Sequence, residues 1–495
     1  GGSRPDKGAP MTAFSPAELH ALLRADFYSF LVRSFAELHA GQSFSPAWHA
    51  EVLAAKLQGV GEGRVKRLIV NVPPRHLKSL AASVALPAWL LGHDPTLSVV
   101  NVTYAQDLSE KFARDCRAVM TSPWYQSLFS TKLASSREPL AELATTSGGS
   151  RMATSVGGVL TGRGADVILI DDPLKPTDAM SESRRRAAND WFDSTLYSRL
   201  NDKAKGSIVI VMQRLHEDDL AGHVLRQGGW EVVSFPAIAE GDEHFAIETP
   251  FGPREFRRPA GEALAPEREP LATLSRIRAT IGEMNFASQY QQAPAPAGGA
   301  MIKAAWFRRF DLNEIPSPPD SIRGFDRIIQ SWDTANKPSE LADYSVCTTW
   351  GLKGPNFYLL DVLRRKLSFP ELKRAVIDED RRFSPEAILI EDRASGTQLI
   401  QELIWAGCSR ATRFSPSGDK VMRLHAQAAT IENGFVFLPE EAPWLADYLA
   451  ELLAFPAGRH DDQVDSTAQA LAWAKQRPAC TTGIIDYWRR LAEEG

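Results

Sequence analysis

Short β-prone runs alternate with helical stretches up to about residue 300, and no other feature of the chain limits its fold as strongly. Residues 67–72 read RLIVNV, 97–102 LSVVNV, 167–170 VILI and 207–212 SIVIVM. Runs that are apolar at nearly every position belong to strands buried on both faces, as in a parallel sheet covered by helices. Ahead of them, residues 16–57 have helical spacing, with Ser15-Pro16-Ala17-Glu18 as a helix start. Helices are also expected from about Lys78 and after Ala105.

The pattern changes near Ala293-Pro294-Ala295-Pro296-Ala297-Gly298-Gly299, and Pro316-Ser317-Pro318-Pro319 repeats the linker signal. Beyond it, residues 327–332, 345–350 and 356–362 read as strands, the last two forming a hairpin that turns at Gly354-Pro355-Asn356. A helix over 369–383, a strand over 387–390 and a helix from Asp462 follow.

With 495 residues the chain is too long for one core, and roughly two to three domains are expected. The net charge of −5 excludes a bulk polycation but not a local basic channel for nucleic acid. Cys116, Cys347, Cys408 and Cys480 are scattered without C-x-x-C spacing, which fits a reducing compartment and argues against zinc or a disulfide framework. No apolar run has the length of a membrane span, and residues 1–10 lack a signal-like apolar core. A cytoplasmic protein without membrane contact is expected.

Two constellations carry chemistry. Val72-Pro73-Pro74-Arg75-His76-Leu77-Lys78-Ser79 lies between a strand and a helix, where backbone N–H groups, a lysine and a hydroxyl can cradle phosphates and Mg²⁺. Val72 and Leu77 stand where the phosphate-loop pattern has glycine. Residues 167–172 end in Asp171-Asp172, the first suited to hold Mg²⁺ and the second to polarise water; a helix cap is the bland alternative. Arg163, in a Gly-rich loop, is a candidate arginine finger or a surface arginine, and Gln213 at a strand end is a candidate γ-phosphate sensor.

The second constellation is acidic: Asp333 closes one strand, Glu391-Asp392 another, and Asp461-Asp462 opens a late helix, with Asp343 as a further candidate ligand. Such acids can hold two Mg²⁺ ions, or Mn²⁺, for phosphodiester hydrolysis. Their order on a hairpin-first pattern resembles the RNase H-like nuclease fold. Between Asp461 and Asp462 as inner ligand, Asp462 is preferred.

Taken in order, the Pro-Pro-Arg-His-Leu-Lys-Ser loop, Leu160-Thr161-Gly162-Arg163-Gly164 before Ile170-Asp171-Asp172-Pro173, Trp332-Asp333-Thr334-Ala335 with Asp343-Tyr344-Ser345, and His460-Asp461-Asp462 resemble the large terminase subunit of tailed bacteriophages, prophages and gene transfer agents. The resemblance spans about residues 30–475. It implies an α/β chain with a tag remnant or disordered lead-in (1–15), a P-loop ATPase with a parallel sheet (ASCE-like, 16–295), a linker (296–320), an RNase H-like nuclease (321–477) and a tail (478–495). ATP and Mg²⁺ would be the cofactors. Double-stranded DNA, the portal and procapsid, and the small terminase subunit would be the partners, in the cytoplasm of a bacterial host. A homo-oligomeric ring on the portal is implied, with a monomer in solution as the alternative, and Arg163 would serve a neighbouring subunit. Phe44, Pro46, Trp48 and His49 would cover the adenine. Basic runs at Arg184-Arg185-Arg186, Arg308-Arg309, Arg364-Arg365-Lys366 and Arg381-Arg382 are candidate contacts to the DNA backbone. A helicase-nuclease of DNA repair would need a second motor domain, for which residues 210–300 are too short. An inactive scaffold would not need Lys78, Asp171, Asp333 and Glu391.

Overall fold

The computed structural model describes residues 14–134, 141–158, 160, 162–294, 301–312, 324–334, 344–392, 395–458 and 460–476. The chain forms two compact units, one running to Ile277 and taking in Met284–Ala295, the other made of Arg278–Glu283 and the chain from Pro296 onward. Both are mixed α/β. No helix among the described residues is long and apolar enough to cross a membrane.

The first unit opens with a helix, Pro16–Ala25, started by a capping box in which Ser15 and Glu18 satisfy each other's backbone N–H groups. Its sheet uses β1 (Arg67–Asn71), β2 (Ser98–Thr103), β3 (Glu142–Ala144), β4 (Ser150–Ser155), β5 (Val167–Asp171), β6 (Ser207–Met212) and β7 (Glu231–Ser234). Their order is β3-β4-β2-β5-β6-β1-β7, and only β3 runs antiparallel to its neighbour. Side chains alternate between two cores. Leu68, Val70, Leu169, Val209 and Val211 join the N-terminal helices, whereas Ile69, Ile168, Ile170, Ile208 and Ile210 pack with Phe192, Leu196 and Leu220. Double-sided burial explains the uninterrupted apolar runs. One strand, β6, lies between β1, which leads into the candidate phosphate loop, and β5, which carries the acids. A hairpin of β8 (Glu243–Thr249) and β9 (Gly252–Arg258) stands apart from this sheet.

The second unit is built on β10 (Arg308–Phe310), β11 (Arg327–Asp333), β12 (Ser345–Lys353), β13 (Asn356–Arg365), β14 (Ala387–Glu391), β15 (Ala411–Phe414) and β16 (Val436–Pro439), in the order β10-β16-β13-β12-β11-β14-β15. The β11, β12 and β13 strands form an antiparallel meander, and β14 adds in parallel beside β11. This is the expected hairpin-first sheet.

The helix Asp462–Gln476 is pinned to this sheet by a buried relay. Ser466 Oγ donates to the Ser331 carbonyl (2.7 Å), so Thr348 Oγ1 must donate to Ser466 (2.7 Å) while accepting from Trp350 Nε1 (2.8 Å). The relay fixes where the helix's acids meet the end of β11. Ser466→Ala is expected to destabilise this unit by about 1–3 kcal/mol, because it strands a buried carbonyl and a buried hydroxyl. Urea unfolding with hydrogen exchange on β11 and β12 would measure it; wild-type protection there would show the relay to be dispensable.

Candidate functional site

After β1 the chain turns through residues 72–77 and enters a helix, with the Ala81 N–H donating to the Leu77 carbonyl (2.9 Å). Arg75 and Leu77 have φ of 63° and 64°, the left-handed region that favours glycine. Leu77 thus takes the backbone conformation a glycine would supply at that point of a phosphate loop. Lys78 is buried in the first turn, its Nζ 3.0 Å from Asp172 Oδ2. The Gln213 N–H donates to the other Asp172 oxygen (3.1 Å), while the buried side-chain oxygen of Gln213 has no hydrogen-bond partner among the described residues.

Asp171 is buried at the end of β5 and accepts from Ser83 Oγ at 2.8 Å through Oδ2. Burial, and then the charge of Asp172, push its carboxyl upward, against the pull of Lys78, Ser83 and Ser79. Its Oδ1 has no hydrogen-bond partner among the described residues. A buried orphan oxygen with the Ser79 hydroxyl at hand suits a divalent cation.

His76 turns under the loop, donating from Nδ1 to the Pro74 carbonyl and accepting at Nε2 from Arg268. Its Nδ1 lies 2.9 Å from the Pro74 carbonyl, and its ring packs on buried His49 with centroids 5.1 Å apart. Arg268 reaches the same place, donating to the Arg75 carbonyl and lying against the His76 ring. Arg75 itself is exposed. Trp48 packs among Phe235, Phe245 and Phe256, and Phe44 against Tyr28 and Phe35, so these rings are engaged within the unit. Arg163 is exposed and makes a bidentate pair with Glu142 (2.7 and 2.8 Å). Val159 and Thr161 of its loop lie outside the described residues.

In the second unit Asp333 ends β11 and Glu391 ends β14 on the adjacent strand. Loss of hydration, then the charges of Asp465, Asp462 and Glu391, raise the Asp333 carboxyl well above its usual range, with Lys420 opposing. Asp462 is pushed up to about 6 by burial and by Glu451 and Asp461. Lys420 Nζ bridges Asp461 Oδ1 (2.7 Å) and Asp465 Oδ2 (2.8 Å). Arg423 joins Asp465 (2.8 Å) to Glu391 (3.5 Å). Asp333, Glu391, Asp461 and Asp462 are therefore brought into one electrostatic neighbourhood; Asp343 and Arg459 lie outside the described residues, as does the tail from residue 477. Among the described residues no three acidic, histidine or cysteine side chains converge as a finished metal site. Lys420 stands among them as a cation, and the donors are hard oxygens that suit Mg²⁺ or Mn²⁺.

Three members of the cluster escaped the sequence reading. Asp465 is buried and lies three and four residues after the named pair, on one helix face, a spacing that could have flagged it. Lys420 and Arg423 share a face of the helix Lys420–Glu432 but carry no signal toward acids some forty residues on. The basic runs fare unevenly. Arg185 turns inward and donates to the Ala179 carbonyl (2.7 Å), Arg382 pairs with Asp361 (2.7 Å), and Arg364 stacks on the Tyr344 ring (3.9 Å). Arg185 is buried, and one of its guanidinium nitrogens is given to the backbone of its own segment.

Residues 330–473 match the family model of the terminase RNaseH-like domain. No curated protein matches in sequence. Among solved structures, the large terminase of the thermophilic bacteriophage D6E is similar at 10% identity over 89% of this chain and 98% of that one, with a TM-score of 0.48. The HK97 bacteriophage large terminase gives 9% identity over 90% and 98%, with 0.38. The large terminase nuclease of thermophilic phage G20c with bound magnesium gives 17% over 36% and 98%, with 0.28.

Burial lowers His49 to about 3 and His76 to about 4, each also repelled by neighbouring charge. Both are neutral in the folded state, so the unfolded chain takes up protons first as pH falls through about 6.5, and stability drops by roughly 2 kcal/mol per histidine at pH 5. His49→Phe should narrow the gap in urea stability between pH 7 and pH 5 by about that amount. An unchanged gap would mean that His49 protonates as readily folded as unfolded.

Proposed function

We propose that this chain is a DNA-packaging motor of the large-terminase type, in which ATP hydrolysis drives double-stranded DNA into a procapsid and a metal-dependent nuclease cuts the concatemer. The observation that carries the proposal is a pairing within one chain. A phosphate loop faces the strand-end acids Asp171 and Asp172, and a separate acid cluster lies inside the region that matches the terminase RNaseH-like family model.

In this reading Lys78 and the loop backbone from Arg75 to Ser79 hold the phosphates, and Ser79 and Asp171 hold Mg²⁺. Asp172 orients the attacking water, and Gln213, bonded through its N–H to Asp172, senses the γ-phosphate. The Lys78–Asp172 contact is the resting arrangement, which phosphate oxygens would replace. Bound at this site, Mg²⁺ would offset phosphate charge. Asp333, Glu391, Asp461 and Asp462, with Asp465 added, hold the nuclease metals, and Asp343 remains a candidate ligand. A metal pair there would activate water and stabilise the leaving oxygen. Arg163 acts on a neighbouring subunit's site in a ring at the portal, and the small terminase subunit and the host cytoplasm complete the setting.

Lys78→Ala should abolish ATP hydrolysis while Mg²⁺-dependent DNA cutting persists, and Asp333→Asn or Glu391→Ala should do the reverse. Loss of both activities in either well-folded variant would contradict separate sites, and cutting that survives EDTA would remove the metal assignment. For Arg163→Ala, motors assembled on procapsids should bind ATP normally and hydrolyse it roughly 10³-fold or more slowly. Mixing with Asp172→Ala subunits should restore part of the rate. Wild-type hydrolysis by the Arg163→Ala assembly would place the finger elsewhere.

A further inference from the structure

Behind the phosphate loop lies an arginine that the proposed chemistry does not use. Arg151, on β4, is completely buried, and among the described residues no carboxylate comes within ion-pair distance of it. Its Nη2 donates to Asn101 Oδ1 (2.7 Å) and to the Ser83 carbonyl (3.3 Å), while Nε and Nη1 have no hydrogen-bond partner among the described residues. Burial lowers the guanidinium to about 10, so it is still charged at neutral pH. A buried charge so poorly met costs stability, and its persistence calls for a role.

The neighbours supply one. Asn101, on β2, is fully buried, and its Nδ2 donates to Ser83 Oγ (3.1 Å) and the Leu169 carbonyl (3.4 Å). Ser83 Oγ donates in turn to Asp171 Oδ2 (2.8 Å). The direction of this chain is dictated at its far end. A guanidinium can only donate, so it turns the Asn101 oxygen toward itself and the amide NH₂ toward Ser83. Ser83, already accepting a hydrogen bond from Asn101, has its single O–H free to donate to Asp171. The path follows the sheet diagonally: Arg151 pairs with Val99, Asn101 is two residues on and pairs with Leu169, and Asp171 is two residues further. Ser83 reaches it from the helical segment Leu80–Ala85, which is wound in wide π turns of the kind often found at functional sites.

We propose that Arg151, acting through Asn101 and Ser83, is a positioning residue for Asp171. It ties down Oδ2 so that Oδ1 faces the cation, and thereby sets the Mg²⁺ affinity of the nucleotide site without touching nucleotide or metal. This rests on the reading that Asp171 holds Mg²⁺ in an ATP site.

The test measures, by electron paramagnetic resonance on the full chain, the affinity of the Mn²⁺ that binds only when ADP is present, which separates it from metal at the acid cluster of the second unit, alongside binding of a fluorescent ADP in EDTA. Ser83→Ala, which removes one hydroxyl, should weaken Mn²⁺ binding about 10-fold or more and leave metal-free ADP binding within about twofold. Arg151→Met should lose a similar amount, and Arg151→Lys, another donor-only cation, should recover most of it. Wild-type Mn²⁺ affinity in folded Ser83→Ala would overturn the proposal even if Arg151→Met fails to fold. Equal weakening of ADP and Mn²⁺ binding would also overturn it, by revealing a general loss of structure. If the wild-type chain binds ADP in neither condition, the ATP-site reading itself fails and the inference falls with it.

Discussion

A carboxylate taken out of water at the end of a strand must be met by a donor, a cation or a proton, and both candidate sites are organised around that requirement. In the first unit Asp171 is met by Ser83, and its neighbour Asp172 by Lys78 and the Gln213 N–H. The order β5-β6-β1 brings these groups together, since β1 delivers the lysine and β5 the acids from either side of β6. Like charges on consecutive residues are tolerable because each has a different partner.

The second unit solves the same problem with more charge. Asp333, Glu391, Asp461, Asp462 and Asp465 crowd the ends of two neighbouring strands and the start of one helix, and two cations from a second helix are threaded among them. Repulsion between the acids that remain unbalanced opposes docking of the helix on the sheet. The Trp350–Thr348–Ser466–Ser331 relay supplies an anchor in the dry core, one turn along from Asp462.

Strands buried on both faces were legible because their apolar runs have no other use, and β1, β2, β5, β6 and β11 to β14 stand where such runs occur. Acids closing those runs were legible for the same reason. The edge strands β3, β7, β10 and β15 were not: they are three or four residues long, and a short edge needs little apolar surface. On β4, Arg151 sits inside the strand and breaks the apolar pattern, so the position that organises Asp171 also hides the strand. The hold of Arg268 on the loop at Arg75 and His76 crosses more than 190 residues and leaves no local trace.

Lys420 and Arg423 have a consequence for how the protein is made. Small domains whose ligands repel one another often cannot fold until an ion arrives, and their biogenesis is tied to metal supply. Here much of the balancing charge is carried by the chain itself, so the acid cluster can be assembled before any ion arrives. On the nuclease reading proposed above, an incoming ion would compete with a tethered ammonium, which would raise the concentration at which the cluster loads and make occupancy responsive to free metal in the surroundings.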